Sequence, residues 1–191
     1  MRRIPWFLVL SRAALAPVVV ALAFAGWRGA IVACMAYALV GDVADGKLAR
    51  RLGTATDRLR KADSLADLAF WAGALAAAWI LEPAGCGRHA VWIALVLALE
   101  GAGHAVSWWR FGQGPANHAW ASKAWGILLC ASLTAVVGWG AFGVLFGLTI
   151  AVGILALLDG LAILLLLPEW RRDVPSFWSA LQARRRARTE G

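Results

Sequence analysis

Six apolar runs, each about as long as a membrane-spanning helix, occupy most of this chain of 191 residues. A helix needs about 20 mainly apolar residues to cross the hydrocarbon core of a bilayer. Hydrophobic residues make up 61% of the chain and charged residues 16%, against about 45–50% and about 25% in soluble domains. The sequence therefore predicts an all-α integral membrane protein, a bundle of six transmembrane helices. The predicted spans are residues 13–27, 29–50, 61–81, 89–110, 120–139 and 141–167.

The distribution of positive charge predicts how the chain crosses the membrane. Six spans place both termini on one side, and all 19 Lys and Arg residues except Arg28 and Arg88 fall on that side. Because loops rich in Lys and Arg stay in the cytoplasm, the termini are expected to face the cytoplasm from the inner membrane. Topology thus explains the net charge of +8, which does not indicate nucleic acid as a partner.

Two flanking segments are predicted to lie at the cytoplasmic surface. Residues 1–12 mix arginines with Trp6 and Phe7 and are expected to form an interfacial amphipathic helix on the lipid bilayer. Residues 168–191 form a basic cytoplasmic tail suited to anionic lipid headgroups. Residues 13–167 are then the six-helix domain. The alternative is that the basic ends only fix the orientation of the spans.

Four acidic residues lie inside the second and third predicted spans. Asp42 and Asp45 are three residues apart, and Asp63 and Asp67 are four apart, so each pair shares one helix face. An acidic residue deep in a membrane helix costs about 2.5–3.5 kcal/mol, and four together repel one another. A positive group must offset them, and the hard cations Mg²⁺ and Mn²⁺ prefer such oxygen ligands. The alternative is a network of ion pairs that fixes topology, formed with Arg50, Arg58, Arg60 and Lys61.

Small residues accompany the first acidic pair. Gly46 lies one turn beyond Asp42, and Ala49 one turn beyond Asp45, on the same helix face. Their small size predicts a slot for a ligand beside the metal, although it also suits close helix packing. Arg50 follows at the cytoplasmic rim, where a guanidinium is placed to meet a phosphate.

These residues resemble the signature of the CDP-alcohol phosphotransferase family, D-x2-D-G-x2-A-R, eight residues, then G-x3-D-x3-D. The second glycine of that pattern falls on Leu59. Since that glycine lies at the mouth of the site in the family, the leucine is expected to narrow the mouth or to mark a divergent branch. The spacing is otherwise kept, and the matching residues are Asp42, Asp45, Gly46, Ala49, Arg50, Asp63 and Asp67.

This resemblance implies an enzyme of phospholipid synthesis with residues 13–167 as its catalytic domain. Family members transfer a phosphatidyl group, or another substituted phosphate, from a CDP-linked donor, usually CDP-diacylglycerol, to the hydroxyl of a small alcohol, releasing CMP. Homodimers are common among them. The resemblance implies that Asp67 is the general base. It implies two Mg²⁺ or Mn²⁺ ions on Asp42, Asp45, Asp63 and Asp67, and a CDP-donor site at Asp42, Gly46, Ala49 and Arg50.

The acceptor alcohol is assigned from the inner ends of the fourth and fifth spans. A phosphate such as that of glycerol 3-phosphate is expected to bind Arg110, His118, Ser122 and Lys123. This segment is similar to family members of the phosphatidylglycerophosphate-synthase type, although its cations also suit plain inner-side positions. The run from Asp63 to Asp67 is similar to phosphatidylserine synthases, so serine, inositol and inositol phosphate stay open as acceptors.

Two non-enzymatic functions also fit the acidic residues. A divalent-cation carrier explains the four carboxylates, but on the outer side only Glu82 extends an acidic path. A catalytically silent scaffold is supported by Leu59 alone. Three further polar residues, Glu100 and His104 at helical spacing and Asp159 in the last span, are kept out of the site.

Overall fold

The computed structural model describes residues 4–51, 56–114 and 120–182, apart from residues 168, 171–173 and 175. For residues 4–5, 42–51, 57, 60, 120 and 123 it describes the backbone alone. The described chain is built from helices and contains no β-strand. Residues 177–182 are also helical. The helices before them are α1 (Ile4–Phe24), α2 (Arg28–Arg51), α3 (Asp57–Leu81), α4 (Pro83–Arg88), α5 (Ala90–Phe111), α6 (Trp120–Trp139) and α7 (Val144–Leu166).

The long helices agree with the predicted spans, which confirms the all-helical membrane architecture. Four of them contain stretches long and apolar enough to cross a bilayer, and α2 and α6 carry shorter ones, Arg28–Gly41 and Ala124–Trp139. Six crossings therefore stay a prediction. The four longer stretches are Trp6–Phe24, Lys61–Leu81, Ala90–Phe111 and Val144–Leu166.

The N-terminal region differs from the expectation in one respect. Ile4 to Phe24 form one continuous helix, whose apolar stretch already begins at Trp6. Residues 4–12 thus continue into the first span without a break, and their interfacial position stays a prediction. Between the last two long helices, the predicted break is confirmed: α6 ends at Trp139, and Gly140 follows with φ of +64°.

The chain divides into two compact units. The first comprises residues 1–87 and 132–142, and the second comprises residues 88–131 and 143–191. In the first unit, α1 packs against both α2 and α3. In the second, α5 packs against α7, and His104 Nδ1 lies 3.5 Å from Glu100 Oε1 of the same helix.

An arginine joins three helix ends within the first unit. Arg28, at the start of α2, donates from Nη1 to the carbonyl oxygen of Val137 at 2.9 Å. Its Nη2 donates to Glu82 Oε1 at 2.6 Å and reaches the carbonyl oxygen of Leu81 at 3.5 Å. Since the last carbonyls of a helix lack partners within it, this arginine satisfies the C-terminal ends of α3 and α6.

A glycine allows α3 to approach α1 closely. A Cβ atom added at Gly73 would lie 2.8 Å from the carbonyl oxygen of Ala16 and 3.3 Å from its Cα. Both of these atoms belong to the backbone of α1, so they cannot move aside as a flexible side chain would. Ala16 lies one helical turn after Arg12, and the same contact therefore fixes how closely that turn of α1 approaches α3.

Replacing this glycine is expected to force the two helices apart. Gly73→Ala should lower the free energy of unfolding by about 1–3 kcal/mol, the usual effect of overpacking a well-filled contact. Thermal unfolding of the purified protein, followed by tryptophan fluorescence, measures the change. Gly101→Ala is the matched control, because nothing lies within 4 Å of a Cβ added there. Equal melting temperatures for the two variants would contradict the close approach.

Candidate active site

A buried arginine binds both carboxylates of the acidic pair on α3. Arg12 of α1 is only 1% exposed, and its Nη1 donates to Asp63 Oδ1 at 3.1 Å and also to Asp67 Oδ1. The two carboxylate side chains are 31% and 32% exposed. A buried guanidinium thus lies against two carboxylates that keep an accessible side. We call Arg12, Asp63 and Asp67 the charged cluster.

The start of α3 places the two carboxylates on one face. Thr56 caps the helix, and its Oγ1 accepts a hydrogen bond from the backbone N–H of Leu59 at 3.3 Å. From this start the helix is continuous, so Asp63 and Asp67, four residues apart, point to the same side. The same-face prediction for this pair therefore agrees with the contact that both make with Arg12.

Small side chains bring α1 close enough for Arg12 to reach these carboxylates. Val9, on α1, is buried together with Leu59 and Ala66 of α3. Ala13 of α1 and Ala62 of α3 pack against the same group. Ala13 follows Arg12 in the chain, and Ala62 and Ala66 directly precede Asp63 and Asp67. The charged cluster therefore lies at a tightly packed contact between α1 and α3.

Helix α2 passes the same position. Ser11 Oγ and Tyr37 Oη are 2.8 Å apart, which joins α1 to α2. A Cβ atom placed on Gly41 would lie 3.9 Å from Nη2 of Arg12, so the backbone of α2 runs beside the guanidinium. The next residue along α2 is Asp42, and its side chain lies outside the part that the structure describes.

The predicted ligands on α2 are located by their backbone only. The helix continues through all of them to Arg51. Among the side chains that the structure does describe, no three acidic, His or Cys residues gather into a group able to hold a metal ion. The structure thus brings together the α3 half of the predicted acidic quartet. For the predicted residues of α2, namely Asp42, Asp45, Gly46, Ala49 and Arg50, the structure describes the backbone alone.

The two described carboxylates fit a divalent cation by their chemistry. Carboxylate oxygens are the ligands that Mg²⁺ and Mn²⁺ prefer. Asp63 and Asp67 already converge on one positive group, the Nη1 end of Arg12. Both carboxylates are about one-third exposed, so their oxygens stay accessible beside the guanidinium.

Arg12 was not among the predicted site residues. The sequence placed it in the interfacial segment as a topology charge, and the alternative ion pairs were assigned to other cations. One signal was available: Arg12 lies inside the apolar stretch Trp6–Phe24. An ionisable residue within an apolar span almost always has a partner inside the protein. That partner is the acidic pair of α3.

Leu59, which stands where the family pattern has a glycine, is part of a helix contact. Its side chain is 5% exposed and packs with Val9 and Ala66. Leu59 therefore contributes to the packing of α1 on α3, one helical turn before Asp63. The expectation that it narrows the mouth of the site stays a prediction.

The predicted acceptor residues belong to the second unit. Arg110 donates to the carbonyl oxygen of Leu164 and, at 3.2 Å, to that of Leu167, so it satisfies the C-terminal end of α7. Ser122 is half-buried in the first turn of α6. His118 and the side chain of Lys123 lie outside the described residues.

Paired carboxylates within a membrane-spanning helix indicate a functional site. The family model for CDP-alcohol phosphatidyltransferase matches residues 2–166, which include the whole charged cluster. The chain therefore belongs to the CDP-alcohol phosphatidyltransferase family. No curated protein and no solved structure shows significant similarity to it.

Family membership confirms the resemblance and the prediction of an enzyme. The protein is a transferase that takes a phosphatidyl group from a CDP-alcohol, in a membrane setting and within phospholipid synthesis. This result favours the enzyme over the cation carrier and the silent scaffold.

Removing the Leu59 side chain is expected to destabilise the first unit. Leu59→Ala leaves a cavity between α1 and α3 and should lower the free energy of unfolding by about 2–5 kcal/mol. Leu65→Ala, on the same helix, is the control because Leu65 is 66% exposed. Chemical denaturation in detergent micelles measures both variants. If the two lose the same stability, the packing role of Leu59 is wrong.

Proposed function

We propose that this protein transfers the phosphatidyl group of CDP-diacylglycerol to glycerol 3-phosphate at the cytoplasmic face of the membrane and releases CMP. The observation that carries the proposal is the charged cluster. Two carboxylates that share a helix face, and that occupy the last two acidic positions of the family pattern, converge on one point within an apolar helix. Convergence of this kind suits divalent cations, and a polyanionic substrate would then bind through these cations.

The reaction exchanges one phosphate ester bond for another. The acceptor hydroxyl oxygen attacks the phosphorus that carries the diacylglycerol, and a new P–O bond forms there. The bond from that phosphorus to the oxygen shared with the cytidine-linked phosphate breaks, and CMP leaves with the electron pair. The hydroxyl proton goes to a base, and a positioned carboxylate performs this step.

Asp67 is the residue proposed to accept that proton. It lies one turn deeper along α3 than Asp63 and is about one-third exposed, so an acceptor hydroxyl can approach it. Asp63, together with Asp42 and Asp45 of α2, would hold the divalent cations. When bound, two such ions neutralise the charge that develops on the attacking and leaving oxygens. Asp67 would also be a ligand of one of them.

The CDP part of the donor is assigned to the helix that passes beside Arg12. Asp42, Gly46, Ala49 and Arg50 follow Gly41 on α2, with the small residues one turn beyond the acids. Gly46 and Ala49 would leave room for the cytidine, and Arg50 would bind a donor phosphate.

Glycerol 3-phosphate is the proposed acceptor because cationic and polar residues occupy the inner ends of α5 and α6. His118, Ser122 and Lys123 would bind its phosphate. Arg110 takes part only if it releases the carbonyl oxygens of Leu164 and Leu167, which it binds in this structure. Serine and inositol lack a phosphate, so an enzyme that requires a phosphorylated acceptor would use glycerol 3-phosphate but neither of these two.

Loss of the Asp67 carboxylate should abolish the transfer. Asp67→Asn keeps the size of the side chain but removes the base, and a general base typically contributes about 10²- to 10⁴-fold to the rate. The measurement is CMP release by purified protein in mixed micelles of CDP-diacylglycerol with Mg²⁺. A chelator should stop CMP release in the wild-type protein, and added Mg²⁺ or Mn²⁺ should restore it.

The acceptor is tested in the same assay by adding glycerol 3-phosphate, serine, inositol or inositol phosphate one at a time. Glycerol 3-phosphate should give the fastest CMP release. Glu100→Gln is the matched control for removing an acid from a span, and it should retain the activity. The transferase proposal fails if none of the four acceptors yields CMP, or if Asp67→Asn is as active as Glu100→Gln.

The proposed orientation has its own test. The uneven distribution of Lys and Arg supports a cytoplasmic position for both termini. Green fluorescent protein fused after Gly191 should therefore be fluorescent in bacterial cells, and alkaline phosphatase fused there should be inactive, since it folds only outside the cytoplasm. An active phosphatase fusion with a dark fluorescent fusion would place the C-terminus, and with it the proposed active site, on the opposite side.

A further inference from the structure

Arg12 occupies the position that a metal ion needs if Asp63 and Asp67 are metal ligands. Its guanidinium is almost completely buried, and Nη1 binds one carboxylate oxygen from each residue. A single donor atom shared by two carboxylates is an arrangement that resembles bridging by a cation. The site therefore contains a positive charge of its own.

Electrostatics explain why such a charge is useful. Two carboxylates at helical spacing repel each other, and unpaired ionised groups inside an apolar span are costly. The guanidinium lowers this cost by pairing with both. Removing one partner of a buried ion pair is strongly unfavourable, because the other charge is left unpaired. Arg12 thus allows α3 to hold two acidic residues before any metal ion binds.

Helix packing fixes Arg12 in this place. One turn after Arg12 on α1, the carbonyl oxygen of Ala16 lies against Gly73 of α3. One turn before Arg12, Val9 is buried against α3. The backbone on both sides of Arg12 is therefore held close to α3. The part of Arg12 that can leave the carboxylates is therefore its side chain, which has rotatable bonds.

We propose that Arg12 is a positioning residue that acts as a built-in counter-cation and competes with the divalent cation for Asp63 and Asp67. This inference rests on the proposed function, because it takes the two aspartates to be metal ligands. In the metal-free protein the guanidinium holds the pair together. When a divalent cation binds, the guanidinium gives up at least one of the carboxylates, and its positive charge then lies next to the metal site.

Two effects of removing Arg12 have the same sign. Arg12→Met removes the competing donor, and it also makes the site more negative by one charge. Both effects strengthen cation binding. Arg12→Lys keeps the charge but lacks the planar fork of the guanidinium, so it should fall between the wild-type protein and the methionine variant.

Binding of Mn²⁺ to the purified full-length protein, followed by electron paramagnetic resonance, measures this competition without any turnover. Arg12→Met should lower the dissociation constant for Mn²⁺ by about tenfold, which corresponds to about 1.4 kcal/mol. Arg28→Met is the matched control, since it removes an arginine that pairs with a carboxylate, Glu82, elsewhere in the same unit. It should leave the dissociation constant unchanged.

Thermal unfolding gives a second readout on the same samples. In the presence of a chelator Arg12→Met should melt below the wild-type protein, and saturating Mn²⁺ should raise its melting temperature by more than it raises that of the wild type. If Arg12→Met does not fold without metal, it can be purified in Mn²⁺. The dissociation constant of Arg12→Lys, compared with that of the wild-type protein, then still tests the expected order of Mn²⁺ affinities.

The outcomes separate this inference from the proposed function. A wild-type protein that binds no Mn²⁺, or an Asp67→Asn variant that binds it as well as wild type does, overturns the metal-ligand assignment itself. Binding that depends on Asp67 but is unchanged or weaker in Arg12→Met overturns the competition alone. Stronger binding in Arg12→Met, but not in Arg28→Met, supports it.

Discussion

The balance of charge inside apolar helices is the constraint on which this structure depends. Asp63 and Asp67 lie in a stretch of α3 apolar enough to cross a membrane, and they are tolerated there because Arg12 of α1 pairs with both. This pairing requires α1 and α3 to lie very close together. Gly73 and the small residues of the contact make that approach possible.

The same arrangement explains how a stable membrane helix pair carries reactive groups. Carboxylates alone would repel each other, and carboxylates fully neutralised by arginines would have no remaining charge for a substrate or metal ion. In the charged cluster, the Arg12 guanidinium pairs with two carboxylates that stay about one-third exposed. The same three side chains thus hold α1 against α3 and keep two carboxylates accessible.

The spans and the acidic pair on α3 could be predicted from the sequence, whereas the cation that pairs with it could not. Apolar run length places the helices, and a spacing of four residues puts Asp63 and Asp67 on one face. Helices that are apolar on every side carry little periodicity to fix their rotation, so the sequence does not reveal that Arg12 faces α3. The burial of Leu59 depends on the same packing and was missed for the same reason.

Arg110 of α5 also shows that the sequence does not predict which partner a charged residue binds. The position of Arg110 in the last turn of α5 follows from the length of its apolar run, but its use in satisfying the carbonyl oxygens of Leu164 and Leu167 depends on the tertiary contact of α5 with α7. A positive residue near a membrane surface is available to any anion or carbonyl in reach. Only the packing decides which partner it has.

The most direct measurement of the central claim is an experimental structure of the protein with Mn²⁺ and CDP, in which anomalous scattering locates the metal. We expect a metal peak within about 2.0–2.3 Å of carboxylate oxygens of Asp63 and Asp67, with Arg12 detached from at least one of them. A structure in which CDP is bound, Mn²⁺ is saturating, and Arg12 still holds both carboxylates with no metal beside them would contradict it.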